Sequence, residues 1–221
     1  MALLEPKKYL EHATAAYKYV KQTMTVGAGN KLVGQPGGPL GILSRRSTLD
    51  KARAFTGKRE QELDQATAKR IKKYYERLLG LKAADALGSA QLYKHVELMK
   101  MHGELLEFNA LKAVEYGAGN CEEQSSLTFK FLKDRNVKPL DWMKKEGFFG
   151  TGIGNHAFVI IGRDKKTDAS NIATWNPEVV YCDPYEDKLG GLDLIRSCFE
   201  GETISLLYRW DDFSKPVATV K

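Results

Sequence analysis

The stretch Y-G-A-G-N-C-E-E-Q-S-S, residues 116–126, decides how the rest of the chain is read. Gly117 and Gly119 free the backbone for a sharp approach. Asn120 is a favoured N-cap residue, and Glu123 three positions later completes a capping-box pattern. The spacing predicts a helix over residues 121–134 with Cys121 at its first position. There the helix dipole and the unpaired amides favour a thiolate. The Cys121 amide also points out of the helix start, where it can donate to an oxyanion. The bland alternative is a small buried hydrophobe behind a capped loop. Glu123 reads as a cap rather than a catalyst. Gln124 reads either as an oxyanion donor or as a surface helical side chain.

Two later residues join Cys121. His156 closes the Gly-rich turn Gly147–Asn155 and opens the apolar run H-A-F-V-I-I-G, read as a strand. An imidazole at the mouth of such a strand can reach a neighbouring helix end while the strand anchors it; the alternative is a turn residue satisfied by backbone. Asp183 ends a strand V-V-Y-C-D, and Pro184 stops pairing after it. In alternation Val179, Tyr181 and Asp183 share one face, opposite Val180 and Cys182. An Asp at a strand end can accept a hydrogen bond from an imidazole on the adjacent strand and fix its tautomer; alone, Asp-Pro is a common turn opener. Nucleophile, base and orienter then stand in the order Cys121, His156, Asp183. Asn120, Gln124 and Asn155 are the candidates for holding an oxyanion or substrate. His12, His95 and His102 lie in helical patterns without such context.

Outward from this region the two halves differ. Residues 6–24 read as a helix opened by Pro6, with Leu10, Ala13, Tyr17 and Val20 at helical spacing. A Gly- and Pro-rich loop follows from Val26 to Gly41. A short helix is expected from Ser47 to Phe55 and a longer one over 58–79, striped by Leu63, Thr67, Ile71, Tyr74 and Leu78 and ended by Gly80. Another is expected between Ser89 and Tyr116, with Leu92, Val96, Met99, Leu106 and Val114 inward and a break at Gly103. Beyond the 121–134 helix come strands at 156–162, 179–183 and 203–210, and Cys198 is placed in a helix after Gly190–Gly191. The expectation is an α+β chain, with residues 1–111 a helical, target-docking region and 112–221 a catalytic core, the two possibly continuous.

Composition narrows the classes. The chain has 221 residues, 43% hydrophobic and 28% charged, as for an ordinary folded protein. Lys and Arg number 20 against 12 Asp and Glu in residues 1–115, and 14 against 16 in residues 116–221. The basic residues fall in helical patterns, where solvated faces account for them, so no nucleic-acid partner is expected. No run is long and apolar enough for a membrane span, and the N-terminus lacks a signal-peptide pattern. The expected location is the cytoplasm, or a host cell reached without a cleaved signal. Three widely spaced cysteines form neither a disulfide framework nor a zinc site. No metal or cofactor is expected.

A cysteine at a helix start with His and Asp on neighbouring strands resembles the papain-like and transglutaminase-like superfamily. The strings G-A-G-N-C-E-E-Q, G-N-H-A-F-V-I-I-G and V-V-Y-C-D-P-Y look like those of secreted bacterial effectors and toxins in that group, over about residues 112–210. The resemblance implies a nucleophile helix packed on a small antiparallel sheet and an enzyme acting on a partner protein, above all a glutamine deamidase. Transglutaminase and cysteine protease are the alternatives it leaves open. The papain-type oxyanion Gln ahead of the Cys has no counterpart here, since Gly117 to Asn120 fill that stretch. Arylamine N-acetyltransferase-like chemistry shares the Cys-His-Asp order, and a non-catalytic binding module with an inert Cys121 is the reading from another class.

Overall fold

The computed structural model describes residues 6–31, 41–78, 83–147 and 154–211. Among them are five helices and one five-stranded antiparallel sheet, an α+β architecture with a helical N-terminal half. The helices are α1 (Pro6–Thr23), α2 (Ile42–Leu78), α3 (Ala83–Tyr116), α4 (Cys121–Asp134) and α5 (Leu192–Phe199). The strands are β1 (Leu140–Lys145), β2 (His156–Ile161), β3 (Val180–Asp183), β4 (Lys188–Gly190) and β5 (Ile204–Trp210), in the order β4-β3-β2-β1-β5.

Alternation along the strands sends side chains to two separate cores. Leu140, Trp142, Val159, Ile161, Val180 and Cys182 meet Tyr9, Ala13 and Ala16 of α1 and Phe129 and Leu132 of α4. Met143, Phe158, Ile160, Tyr181 and Ile204 face the other way, onto Trp175 and onto Ile195 and Phe199 of α5. With both faces covered, β1 reads L-D-W-M, buried throughout, instead of alternating polar and apolar. That is why sequence patterning did not mark it as a strand. The Trp142 indole N–H donates to Ser125 Oγ at 2.9 Å and ties β1 to α4.

Several helical expectations need correction. The segments expected at 47–55 and 58–79 are one helix, α2, which runs through exposed Gly57. Glycine in a helix interior costs about 1 kcal/mol relative to alanine, which long-range packing on α3 absorbs. Gly80, expected to end that helix, lies outside the described residues. α3 likewise passes through Gly103 without a break: a Cβ there would meet the Tyr208 ring at 2.9 Å, so the glycine serves close approach of helix to strand. The buried stripe of α1 is Tyr9, Ala13, Ala16 and Val20, while Leu10 is exposed. On α3 Leu92, Val96 and Val114 are exposed, and Met101, Leu105, Leu106, Ala110 and Ala113 are buried. α3 mixes apolar and polar residues around its circumference and touches α2, α4 and β5, so its sequence does not single out one inward phase. Parts of the Val26–Gly41 loop (32–40) and of the Gly147–Asn155 turn (148–153) lie outside the described residues.

Across the far end of the sheet, Asp141 of β1 is 1% exposed and held by two arginines. Arg163 Nε donates to its Oδ2 at 2.6 Å, and Arg209 Nη1 bonds both oxygens at 2.9 and 3.1 Å. Removing the carboxylate leaves buried cations uncompensated, so Asp141→Ala is expected to cost about 3 to 5 kcal/mol in urea unfolding.

Candidate active site

The approach to α4 is stitched to the chain that follows α1. Gly117 sits at φ +59, in the left-handed region, and its carbonyl accepts from Val26 and Gly27 N–H. Gly27 pairs in turn with Ala118 as a short parallel bridge. At Gly119 an added Cβ would lie 2.5 Å from Glu123 Cβ, so this position is kept bare by the cap itself. Asn120 stands at the N-cap, and Glu123 Oε2 accepts the Asn120 backbone N–H at 2.9 Å. Arg53 of α2 grips the same Glu123 carboxylate with Nε at 2.7 Å and Nη2 at 3.1 Å. Cys121 is therefore presented at the first position of a helix whose start is braced from behind by the helical hairpin.

His156 and Asp183 come together through register. β2 and β3 pair Val159 with Cys182 and Ile160 with Tyr181. Continuing that register sets Phe158 across from Asp183 and puts His156 one diagonal step along the same face. His156 Nε2 meets Asp183 Oδ2 at 2.5 Å. Cys121 and His156 line the same two cavities, the thiol helps raise the imidazole pKa, and Cys121 Sγ donates to the carbonyl oxygen of Asn155 at 4.0 Å. With Nε2 taken by Asp183, Nδ1 is the ring nitrogen left for another partner. The structure thus brings Cys121, His156 and Asp183 into one chain of contacts.

Asp183 is 1% exposed and receives four donors. His156 and the Tyr181 hydroxyl (2.7 Å) share Oδ2, while the backbone N–H groups of Tyr185 (3.1 Å) and Glu186 (3.2 Å) bond Oδ1. Burial and the neighbouring carboxylate push the Tyr181 hydroxyl well above the usual phenol range, so it remains a donor. Burial alone pulls the His156 pKa down, but its bonds to Asp183 and Cys121 outweigh this and raise it to about 9. The ring therefore keeps its proton near neutral pH.

The three secondary candidates separate. Asn120 Oδ1 accepts from Gly29 N–H at 3.1 Å, which orients the amide, and Asn120 lines the cavity in front of the thiol. Asn155 also lines it, its Oδ1 accepting Gly147 N–H at 2.5 Å. Gln124 is corrected: its Nε2 donates to Gly119 O at 2.8 Å in the interior, so that donor is spent on the turn rather than offered to a substrate. Cys182 is fully buried on the sheet face opposite Asp183, bonded to Ala13 O at 3.5 Å. Cys198 lies in α5, on the wall of a second cavity.

Sequence reading missed Tyr181, Tyr185 and Arg53. Tyr181 did carry a signal, since it shares the Asp183 face two residues earlier. The Tyr185 ring lies 5.7 Å from the His156 ring, and its hydroxyl donates to Asn30 Oδ1 at 3.0 Å. Two cavities, of about 490 and 420 Å³, meet at Asn30, Cys121, Asn155 and His156. Among the described residues no group of three or more His, Cys, Asp or Glu side chains gathers to hold a metal ion, and no helix is long and apolar enough to cross a membrane.

In comparisons with family models, curated proteins and solved structures, nothing matches this chain. The functional reading rests on the geometry.

A histidine whose pKa is higher folded than unfolded stabilises the fold fully below the unfolded value, and that contribution vanishes as pH rises through the folded one. Between pH 6.5 and about 9 the unfolding free energy is expected to fall through His156. The fall is at most about 3 kcal/mol. Urea titrations across that range should show it in the wild type, and His156→Gln should flatten it.

Proposed function

We propose that the chain is a cysteine-dependent acyl-transfer enzyme acting on a carboxamide of a partner protein, with a glutamine side chain the leading target. The observation that carries this reading is the Cys121 thiol and the His156 ring lining one cavity, with the ring bonded to the buried Asp183 carboxylate. A nucleophile, a base and a group orienting the base is what acyl transfer needs. A helix-borne Cys beside a His and an Asp on adjacent antiparallel strands is also the layout that the papain-like and transglutaminase-like resemblance implies.

In the proposed mechanism His156 holds the proton of the Cys121 thiol, Sγ attacks the carboxamide carbon, and a C–S bond forms as the carbonyl becomes an oxyanion. The imidazolium and the N-terminal end of α4 both face the sulfur with positive potential. The Cys121 backbone N–H and the Asn120 side-chain N–H groups receive the oxyanion, since Asn120 Oδ1 is pinned by Gly29. When the oxyanion collapses the C–N bond breaks, and ammonia leaves with the His156 proton. Water then attacks the thioester, His156 takes its proton, and the released product is a glutamate side chain on the partner. A lysine in place of water gives transamidation through the same thioester. Backbone cleavage would use the same steps on a peptide bond.

The test is the intact mass of candidate partner proteins, host proteins among them, after incubation with the enzyme. Deamidation adds about one dalton, cross-linking joins two masses, and proteolysis splits one. Cys121→Ala is expected to abolish all three while unfolding within about 1 kcal/mol of the wild type, because the cap belongs to Asn120 and Glu123. Asp183→Asn should retain a small residual rate, its imidazole mis-set rather than missing. If Cys121→Ala modified a partner at the wild-type rate, or if Cys121 resisted iodoacetamide near neutral pH, a binding module with an inert thiol would replace the enzyme.

A further inference from the structure

The two oxygens of the Asp183 carboxylate are occupied differently. Oδ1 accepts the backbone N–H groups of Tyr185 and Glu186 at 3.1 and 3.2 Å, which tie it to the turn after β3. Oδ2 is shared by two side chains, the Tyr181 hydroxyl at 2.7 Å and His156 Nε2 at 2.5 Å. An ionised carboxyl offers about four acceptor positions, so this one is full. Each donor that stabilises the anion also weakens its hold on a proton that it shares. On Oδ2 the hydroxyl and the imidazolium draw on the same charge.

Tyr181 is aimed at that oxygen by the fold. It stands two residues before Asp183 on β3, so both side chains leave the same face of the sheet. Its ring is 1% exposed and meets two phenyl rings edge to face. Phe158 of β2 lies 5.5 Å away at 81°, and Phe199 of α5 lies 5.4 Å away at 85°. The ring cannot swing, and its hydroxyl is spent on Asp183. Other ionisable groups around the pair line the smaller cavity: Cys121 of α4, Tyr185 and Glu186 of the turn, Lys188 of β4, Lys145 of β1 and Cys198 of α5. None of these six side chains bonds Oδ2, and Lys145 pairs with Glu202 at 2.9 Å.

We propose that Tyr181 is a positioning residue of the acyl-transfer site, one that holds Asp183 Oδ2 against the His156 ring and limits how tightly the carboxylate retains the ring's proton. The role rests on the acyl-transfer reading for its purpose, but not for its chemistry. His156 takes the thiol proton and must give it up again to the leaving nitrogen, so a proton held too firmly slows the second half of the exchange. With the hydroxyl gone, Oδ1 stays fixed by the turn and Oδ2 serves the ring alone. The imidazolium then loses its proton at a higher pH. The packing of Phe199 on Tyr181 gives α5 a part in the site, although it contributes nothing to the triad itself.

The experiment is an NMR titration of the full chain with isotope-labelled histidine rings, the His156 signals being those lost in His156→Gln. Tyr181→Phe removes the hydroxyl and keeps the packed ring. Its His156 midpoint is expected to rise by about half a pH unit or more, the share that one hydrogen bond can contribute. Replacing Tyr181 with meta-fluorotyrosine makes the hydroxyl a stronger donor in nearly the same shape, and should lower the midpoint. An unmoved midpoint in either protein, or a shift in the opposite direction, would overturn the proposal. A role in packing alone would change urea unfolding and leave both midpoints at the wild-type value. Should Tyr181→Phe fail to fold, the fluorinated chain decides. Iodoacetamide alkylation of Cys121 in the same samples reads the acyl-transfer proposal separately. An inert thiol with both midpoints shifted as expected sinks the enzyme and leaves the hold of Tyr181 on the Asp183–His156 pair standing.

Discussion

A carboxylate sealed from water keeps its charge only if donors replace the hydration it has lost, and at Asp183 four donors do so. Two of them are backbone amides of the turn that Pro184 forces immediately after β3. The Tyr181 hydroxyl supplies a third, and only the fourth is the His156 ring. The anion is thus fixed in place before the imidazole is considered, and it orients the imidazole and strengthens the ring's hold on a proton. If the carboxylate were free to turn, the bond that fixes the His156 ring would be lost.

The same dependence runs backward into the helical half. The start of α4 is held by Glu123, and Glu123 is held by Arg53 from α2. On the other side, Gly29 and Gly27, both following α1, bond Asn120 and the Gly117–Gly119 turn. Lys31 reaches the Tyr185 carbonyl and lies over its ring at 4.2 Å, so this segment also touches the turn that caps Asp183. The first half of the chain thus contributes to the geometry of the nucleophile, in addition to whatever surface it offers a target.

Reading the sequence singled out Cys121, His156 and Asp183, which the fold gathers, because each carries a local signature: a capping box at Cys121, a Gly-rich turn before His156, an Asp-Pro step at Asp183. The helical and strand content of both halves was legible for the same reason. What stayed hidden depends on contacts distant in sequence. β1 looked like no strand because two cores claim its two faces. Gly57 and Gly103 looked like breaks because a local rule cannot see that α2 and α3 brace one another or that Tyr208 leans on Gly103. Gln124 read as an oxyanion donor or a surface helical side chain because its position is open in sequence, whereas it is buried with its Nε2 on the Gly119 carbonyl at 2.8 Å. Arg53 carried no mark at all, being one of many arginines and lysines on a basic helix.

The irregularity in β5 shows how such distant contacts shape the cavity. Trp142 pairs with Tyr208 and Met143 with Leu206, which leaves Leu207 as an extra residue in the ladder. A bulge of this kind frees a carbonyl from strand pairing and bends the strand. The freed Leu207 oxygen is taken by His102 Nδ1 from α3, and the bare Gly103, against which the Tyr208 ring packs, lets the helix come close enough for that bond. A regular β5 would have kept the Leu207 carbonyl in the sheet and left the His102 ring without a fixed tautomer. The polar face of the cavity beside Cys121 therefore follows from a one-residue insertion in a strand whose flanking Leu206 and Tyr208 pack into the two hydrophobic cores.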